Sequence, residues 1–417
     1  MMVTTCLKRV ASLRAGGTPR VDDPAMWTDP EKGVPWVSIG DMSSGGPVRR
    51  ATRAVSVAGV ADKNLPIGRP GTILFAMYAS VGAVAELGTE ATWNQALLGI
   101  EPDRAVANAR FLRYWLEHLR PTLTQLARSN TQSNLNAEQV GNLPFPMVPL
   151  RSQELVADYL DTETARIDAL IDKKQRLQDS LDHRWVATLY AALRGAREPG
   201  PRRDSGLDWL ADIPADWGTP SIGQRFDVQL GKMLNGAARE GPNQLPYLRN
   251  QNVQWDRVDT ADVHHMHFDP DELGRFRVQP GDLLVCEGGD VGRAAVWSGS
   301  DTVYYQKALH RLRPLQGDEP RFLMYVLWLA SELGVFENQG NQSTIVHLTR
   351  EQLREQRFPL PTLGEQRLIV SMLDRERDRQ RELSLRHGQQ TSLLLEHRQA
   401  VITAAVTGEL EIPGVAA

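Results

Sequence analysis

The segment from Leu135 to Gly195 aligns without a gap on Leu348 to Gly408, at an offset of 213 residues. Identities at this one register include Glu138/Glu351, Gln139/Gln352, Phe145-Pro146/Phe358-Pro359, Leu150/Leu363, Gln153/Gln366, Leu160-Asp161/Leu373-Asp374, Glu163/Glu376, Arg166/Arg379 and Gly195/Gly408. Upstream the echo is looser. Pro70-Gly71-Thr72-Ile73-Leu74 answers Pro280-Gly281-Asp282-Leu283-Leu284, Val81-Gly82 answers Val291-Gly292, and Phe111-Leu112-Arg113-Tyr114 answers Phe322-Leu323-Met324-Tyr325. A period of about 210 residues is far too long for a solenoid. The chain is therefore two copies of one module, each a variable segment followed by a constant one. Whatever a constant segment folds into must find a partner for its apolar residues, and its own second copy is at hand.

The constant segments read as long helices. From Ser152 to Leu193 there is no Gly or Pro. Leu160, Ile167 and Leu181 fall at heptad-compatible spacing, with Leu170 and Leu177 on the adjoining position. A helix of about 42 residues would run about 60 Å. The second copy, from about Gly364 to Val406, is more polar, with a charged run Asp374–Arg381 and Gly388 in its middle. An exposed interior Gly costs about 1 kcal/mol relative to Ala, so a weak point or bend is expected there. Two such helices in one chain bury their seams most economically as an antiparallel pair related by a pseudo-twofold axis. The alternative of two unrelated surface helices leaves the shared register unexplained.

The variable segments read as mixed α and β. Short β-prone runs at Val34–Ile39, Thr72–Met77, Val81–Leu87, Leu283–Cys286 and Ala294–Trp297 are bounded by Gly and Pro turns. Amphipathic helices are expected at Asn108–Leu126 and Glu319–Leu333. The fold class is thus α+β, with two similar globular domains, 1–143 and 201–357, joined by helical segments 144–200 and 358–417. A length of 417 residues accommodates such a division.

Charge and cysteine content limit the function. Net charge is −4 and the pI about 6.2, which argues against a protein that coats nucleic acid by bulk positive charge. The charge is uneven: residues 1–143 hold 15 basic against 12 acidic side chains, residues 206–357 hold 15 against 21. Two cysteines, Cys6 and Cys286, make neither a disulfide framework nor a four-Cys zinc site. A cytoplasmic setting is the simplest expectation. No run approaches 18 apolar residues, so no membrane partner is expected.

The repeated phrase FP-x-x-x-L-x-x-Q-x-L, followed by LD-x-E and a long Leu-bearing helix, resembles the conserved regions of specificity (S) subunits of type I restriction–modification systems. So do the tail Ala405-Val406-Thr407-Gly408-Glu409-Leu410, the runs Gly16-Gly17-Thr18-Pro19 and Pro35-Trp36-Val37-Ser38-Ile39-Gly40-Asp41-Met42, and the opening of the second module, Leu207-Asp208-Trp209-Leu210 with Ile213-Pro214-Ala215-Asp216-Trp217. The first module lacks that Trp-bearing opening and starts at Thr4-Thr5-Cys6-Leu7-Lys8. The resemblance implies a scaffold with two target-recognition domains that read double-stranded DNA. The helices act as spacer and docking surface for two methyltransferase (M) subunits, with restriction (R) subunits as optional further partners. It implies no cofactor on this chain; S-adenosylmethionine belongs to the M subunits.

Base-reading residues are then sought among polar side chains in loops. Asn and Gln pair bidentately with adenine, and Arg with guanine. In the first module these are Ser38, Asp41, Asn94, Gln95, Thr131 and Gln132, with Arg49, Arg50 and Arg53 as a basic cluster suited to phosphates. In the second they are Arg249, Asn250, Asn252, Gln306, Lys307, Asn341, Gln342 and Ser343. Each could equally be an ordinary turn residue.

Catalysis and metal binding find less support. Glu287-Gly288-Gly289-Asp290-Val291-Gly292 lacks the Gly-Lys-Ser/Thr ending of a P-loop and reads as a turn between strands. His264, His265 and His267 have no second ligand cluster at fitting spacing and read as a solvated loop. There is no Asn/Asp-Pro-Pro-aromatic run for base methylation and no Pro-Asp with Glu-x-Lys nuclease pattern. Trp115, Trp185 and Trp328 suit a core, Trp185 a partner surface as well. The competing readings are an enzyme with its own methyltransferase or nuclease activity and a DNA-independent protein scaffold.

Overall fold

The computed structural model describes residues 3–43, 46–129, 134–196, 198–337 and 347–415. The chain divides into two compact units, Met1–Gln175 with Gly388–Ala417, and Arg176–His387. Each unit takes part of both long helices, Leu150–Leu193 and Leu363–Thr407. At 1.5 Å per residue each helix runs about 66 Å. Both end on a glycine of positive φ, Gly195 at +62° and Gly408 at +77°, where a Cβ would strain the backbone. The second helix continues through Gly388, where a weak point or bend was expected, without interruption. Among the described residues no helix is long and apolar enough to cross a membrane.

In the first unit, a four-stranded antiparallel sheet runs in the order Ala11–Ala15, Leu97–Pro102, Ile73–Ala76, Val84–Glu86. A second sheet pairs Val34–Val37 antiparallel with Arg53–Val55 and parallel with Thr92–Trp93. The helix Ala109–Ser129 packs Phe111, Leu112 and Leu116 against Leu160, Ile402 and Val406 of the long helices. Burying each such side chain is worth about 1.5–3 kcal/mol.

The second unit repeats this topology. Phe226–Leu230, Leu309–Pro314, Leu283–Cys286 and Ala294–Val296 form the four-stranded antiparallel sheet in matching order. Gln244–Leu248 pairs antiparallel with His264–His267 and parallel with Tyr304–Tyr305. The histidines expected in a loop thus lie in a strand, because Met266 between them is fully buried. The helix Pro320–Glu332 packs on Leu189, Ile369 and Leu373 of the long helices. Trp185 belongs to this same core, edge-on to Trp328 at 5.4 Å.

The repeated motif acquires a mechanical meaning. Gln153 accepts from Asn108 N at 2.9 Å and donates to the Val106 and Val148 carbonyls. Gln366, its repeat partner, accepts from Glu319 N at 2.9 Å and donates to the Pro361 carbonyl. Both amides are buried and tie the start of the domain helix to the start of a long helix. About two turns later, Asp161 accepts from Tyr114 at 2.7 Å and pairs with Arg110 and Arg113. Asp374 does the same with Tyr325 at 2.6 Å and Arg321 at 2.7 Å. Burial, with Asp161 adding to it, pushes the Tyr114 hydroxyl up to about 12, and burial with Asp374 raises Tyr325 likewise.

The helices run antiparallel in both units. In the first, Arg398 pairs with Asp168 at 2.9 Å and Lys174 reaches Gln390. In the second, Gln178 bonds Ser384 at 3.0 Å, Gln380 the Leu181 carbonyl at 3.2 Å, and Arg184 pairs with Glu376 at 3.4 Å. These contacts are polar. The apolar stripe expected through Leu170 and Leu177 is not buried: these residues are 49% and 44% exposed, while Leu160 and Ile167 nearer the domain are covered.

Candidate nucleic-acid interface

Each unit gathers the same set of loops from its two sheets. In the first, a turn follows the strand Val34–Val37, a hairpin tip links Ile73–Ala76 to Val84–Glu86, and a third turn leads from Thr92–Trp93 into Leu97–Pro102. Backbone hydrogen bonds lock them together: Asn94 N to Val37 O at 3.0 Å, Met77 N to Ala96 O at 2.9 Å, Leu135 N to Met77 O at 3.0 Å. The second unit repeats each bond, with Gln306 N to Leu248 O at 3.1 Å, Glu287 N to Ala308 O at 3.0 Å and Leu348 N to Glu287 O at 2.7 Å. The two clusters share a backbone and differ in side chains.

Most sequence-selected residues fall on these loops, in different roles. Asp41 accepts from Ser38 N and Oγ at 2.8 and 2.7 Å and from Thr52 N and Oγ1 at 2.9 and 2.6 Å. Burial alone would raise its carboxyl, but the bonds from Thr52 and Ser38 outweigh it and hold the group below the usual carboxylate value. Asp41 and Ser38 therefore build the turn. Asn252 occupies the matching place: its Oδ1 accepts from Arg249 N at 2.8 Å and its amide donates to the Asp259 and Asp262 carbonyls. Asn94 caps its own turn through Ala96 N at 3.1 Å, and Gln95 beside it accepts from Thr18 Oγ1.

The remaining candidates differ in exposure. Arg49 and Arg50 are exposed, whereas Arg53 stacks on the Trp27 ring, 3.5 Å from its centroid. Arg249 donates to Asp262 at 2.6 Å, and Asn250 meets the Gly288 carbonyl at 3.5 Å. Gln306 is half-buried and Lys307 exposed. Thr131, Gln132, Asn341, Gln342 and Ser343 lie outside the described residues.

The structure adds residues that the sequence reading passed over. Tyr78, Ala79 and Ser80 stand exposed at the hairpin tip of the first unit, with Ala79 at φ +54°. In the second unit the same tip is Gly288-Gly289-Asp290, the turn between strands expected there, flanked by Glu287, Arg293 and His347. Burial raises the Glu287 carboxyl, with Lys307 and His347 pulling it back down. Cys286 behind it is buried, which pushes its thiol up to about 11 and leaves it unreactive at neutral pH. The alignment of Val81-Gly82 on Val291-Gly292 was the available signal for these tips. The arrangement offers donors and acceptors on protruding loops around a rigid sheet, suited to groove reading.

A family model described as the type I restriction modification DNA specificity domain matches residues 2–178 and 214–384. The chain is similar to the specificity subunit of the type I restriction enzyme EcoBI of Escherichia coli, 22% identical over 317 residues, 73% of this chain and 66% of that protein. It is also similar to the EcoKI specificity subunit of Escherichia coli K12, 24% identical over 169 residues, 40% of this chain and 34% of that protein. These matches span just under two thirds and about one third of the relatives' lengths. A solved chain, from work on complex assembly and conformational transition of the type I R-M system, superposes with a TM-score of 0.71 at 19% identity over 98% of both chains. At that identity the likeness is one of fold.

Proposed function

Because the chain belongs to the type I restriction modification DNA specificity family, we propose that each of its two recognition domains reads one half of a split, asymmetric DNA target through its loop cluster. The observation that carries this is the repetition of one loop backbone with different side chains. The positions held by Ser38, Asn94 and Gln95 in the first unit are held by Arg249, Gln306 and Lys307 in the second. A shared scaffold presents the same approach to a groove, and unlike donors and acceptors select unlike bases.

The long helices serve as spacer between half-sites and as docking surface for two M subunits, with R subunits joining these. Base modification, with S-adenosylmethionine as its methyl donor, belongs to the M subunits; this chain supplies sequence and spacing and no catalytic group. In this reading Arg49 and Arg50, both exposed, contact phosphates. The net charge of −4 leaves most phosphate neutralisation to the partners.

The test is methylome sequencing of the host with and without the gene. A bipartite methylated motif disappears in the deletion and returns with the wild-type gene. Arg249→Ala restores methylation with altered or relaxed preference in one half only. Persistence of every motif in the deletion strain would overturn the reading.

A further inference from the structure

The excursion 249–262 of the second unit does more than present its turn. Directly after Arg249–Asn252 it forms a small hairpin, Val253–Gln254 paired with Arg257–Val258. The tip, Trp255-Asp256, points away from the turn and into the helices. The Asp256 side chain is 4% exposed and takes two guanidinium groups, Arg321 of the domain helix at 2.7 Å and Arg381 of the second long helix at 2.9 Å. Arg321 also holds Asp374, the motif carboxylate. Asp256 sits at φ +61°, a left-handed conformation that Asp and Asn tolerate better than most residues. Trp255 stacks on Trp328 at 4.9 Å with planes 8° apart. Trp328 meets Trp185 of the first long helix edge-on, and Arg377 of the second lies over both rings, 4.5 and 5.6 Å from their centroids.

One continuous network thus joins the turn's own hairpin, the domain helix and both long helices. The corresponding network of the first unit is built from helix residues: Arg110, Arg113, Tyr114 and Glu117 with Asp161, Asp168 and Arg398.

We infer that Trp255 and Asp256 are positioning residues for DNA reading: they latch the Arg249–Asn252 turn to the helix pair, so that the half-site read by the second unit is strict only while the helices hold their register. The inference rests on the proposed reading role of that turn. A long charged or aromatic side chain reaches a base edge usefully only if its backbone is fixed to a fraction of an ångström. A turn secured only by its own hydrogen bonds can rock about the ends of its two strands. The buried carboxylate and the stacked indole remove that freedom from the side opposite the DNA.

The test uses the full chain assembled with its methyltransferase subunits, and initial methylation rates on duplexes carrying the target or single base changes in either half. Asp256→Asn keeps the left-handed backbone and removes the charge. Arg381→Ala breaks the latch from a partly exposed helix position remote from the turn. Trp255→Leu removes the stack and Trp255→Phe keeps an aromatic face. The first three variants should lose about tenfold discrimination in one half-site, about one mismatch's worth, while the other half-site stays within about twofold of wild type. Trp255→Phe should restore most of the loss. Equal loss at both half-sites, or unchanged discrimination in Arg381→Ala where Arg249→Ala does alter that half-site, overturns the latch and leaves the reading role standing. If Arg249→Ala itself leaves that half-site untouched, the turn is not a reader and the latch falls with it.

Discussion

His310 lies fully buried in the central strand Leu309–Pro314, its Nε2 within 2.8 Å of the Leu348 carbonyl. Burial lowers its pKa below 6.5, with the Leu348 bond opposing only in part. The folded site therefore refuses a proton that the unfolded imidazole accepts. Its contribution to stability is full above about pH 6.5 and is lost as pH falls toward the folded pKa, by up to about 1.4 kcal/mol per unit. The first unit has Leu98 in this place, paired with Phe75 as His310 is with Val285. His310→Leu should cost about 1 kcal/mol at pH 8 for the orphaned carbonyl, yet lose less stability than wild type between pH 7 and 5.5. Melts across that range check it; an unchanged pH slope would count against it. At this scale the sequence is least legible. Ser38, Asp41 and Asn252 were selected as polar loop residues, and composition cannot distinguish an amide that holds a turn from one that meets a base. The distinction depends on Thr52 and Asp262, 11 and 10 residues further on and brought into contact only by folding.

Among the elements, the two long helices were legible to within two residues at their ends, the first because a run without Gly or Pro bounded by Pro149 and Gly195 leaves little choice. The partner faces were read less well. Leu170 and Leu177 fit a heptad count, but burial in an antiparallel pair depends on what lies opposite, and polar Gln380, Ser384 and Gln390 line that side. Gly388 was expected to weaken the second helix. It sits in continuous helix, and an added Cβ there meets nothing within 4 Å. Gly388→Ala should therefore stabilise by about 1 kcal/mol, raising the thermal midpoint followed by helical circular dichroism by about 2–4 °C. A lowered midpoint would mean that the glycine is used for a bend or close approach.

For the whole molecule, the duplication was legible from identities alone, and the shared strand order of the two units is its structural counterpart. The charge imbalance has a measurable consequence. With residues 206–357 six charges more acidic than basic, the isolated chain can neutralise few phosphates. Its duplex affinity should fall with a log–log salt slope shallower than about −4, and the assembled complex should be steeper by several units. Equal slopes would show that this chain supplies the phosphate contacts itself.

The division of the helices also sets an order of events during translation. Every residue of the second unit, Arg176–His387, leaves the ribosome before any of Gly388–Ala417. The first unit needs Ile402, Ala405, Val406 and Ile412 to close its core. The domain whose synthesis begins first is thus completed last, and Leu160 with its neighbours must wait as a sticky, uncovered strip on the nascent chain. A premature stop just after His387 would yield a polypeptide with one finished half and one whose core lacks these four side chains.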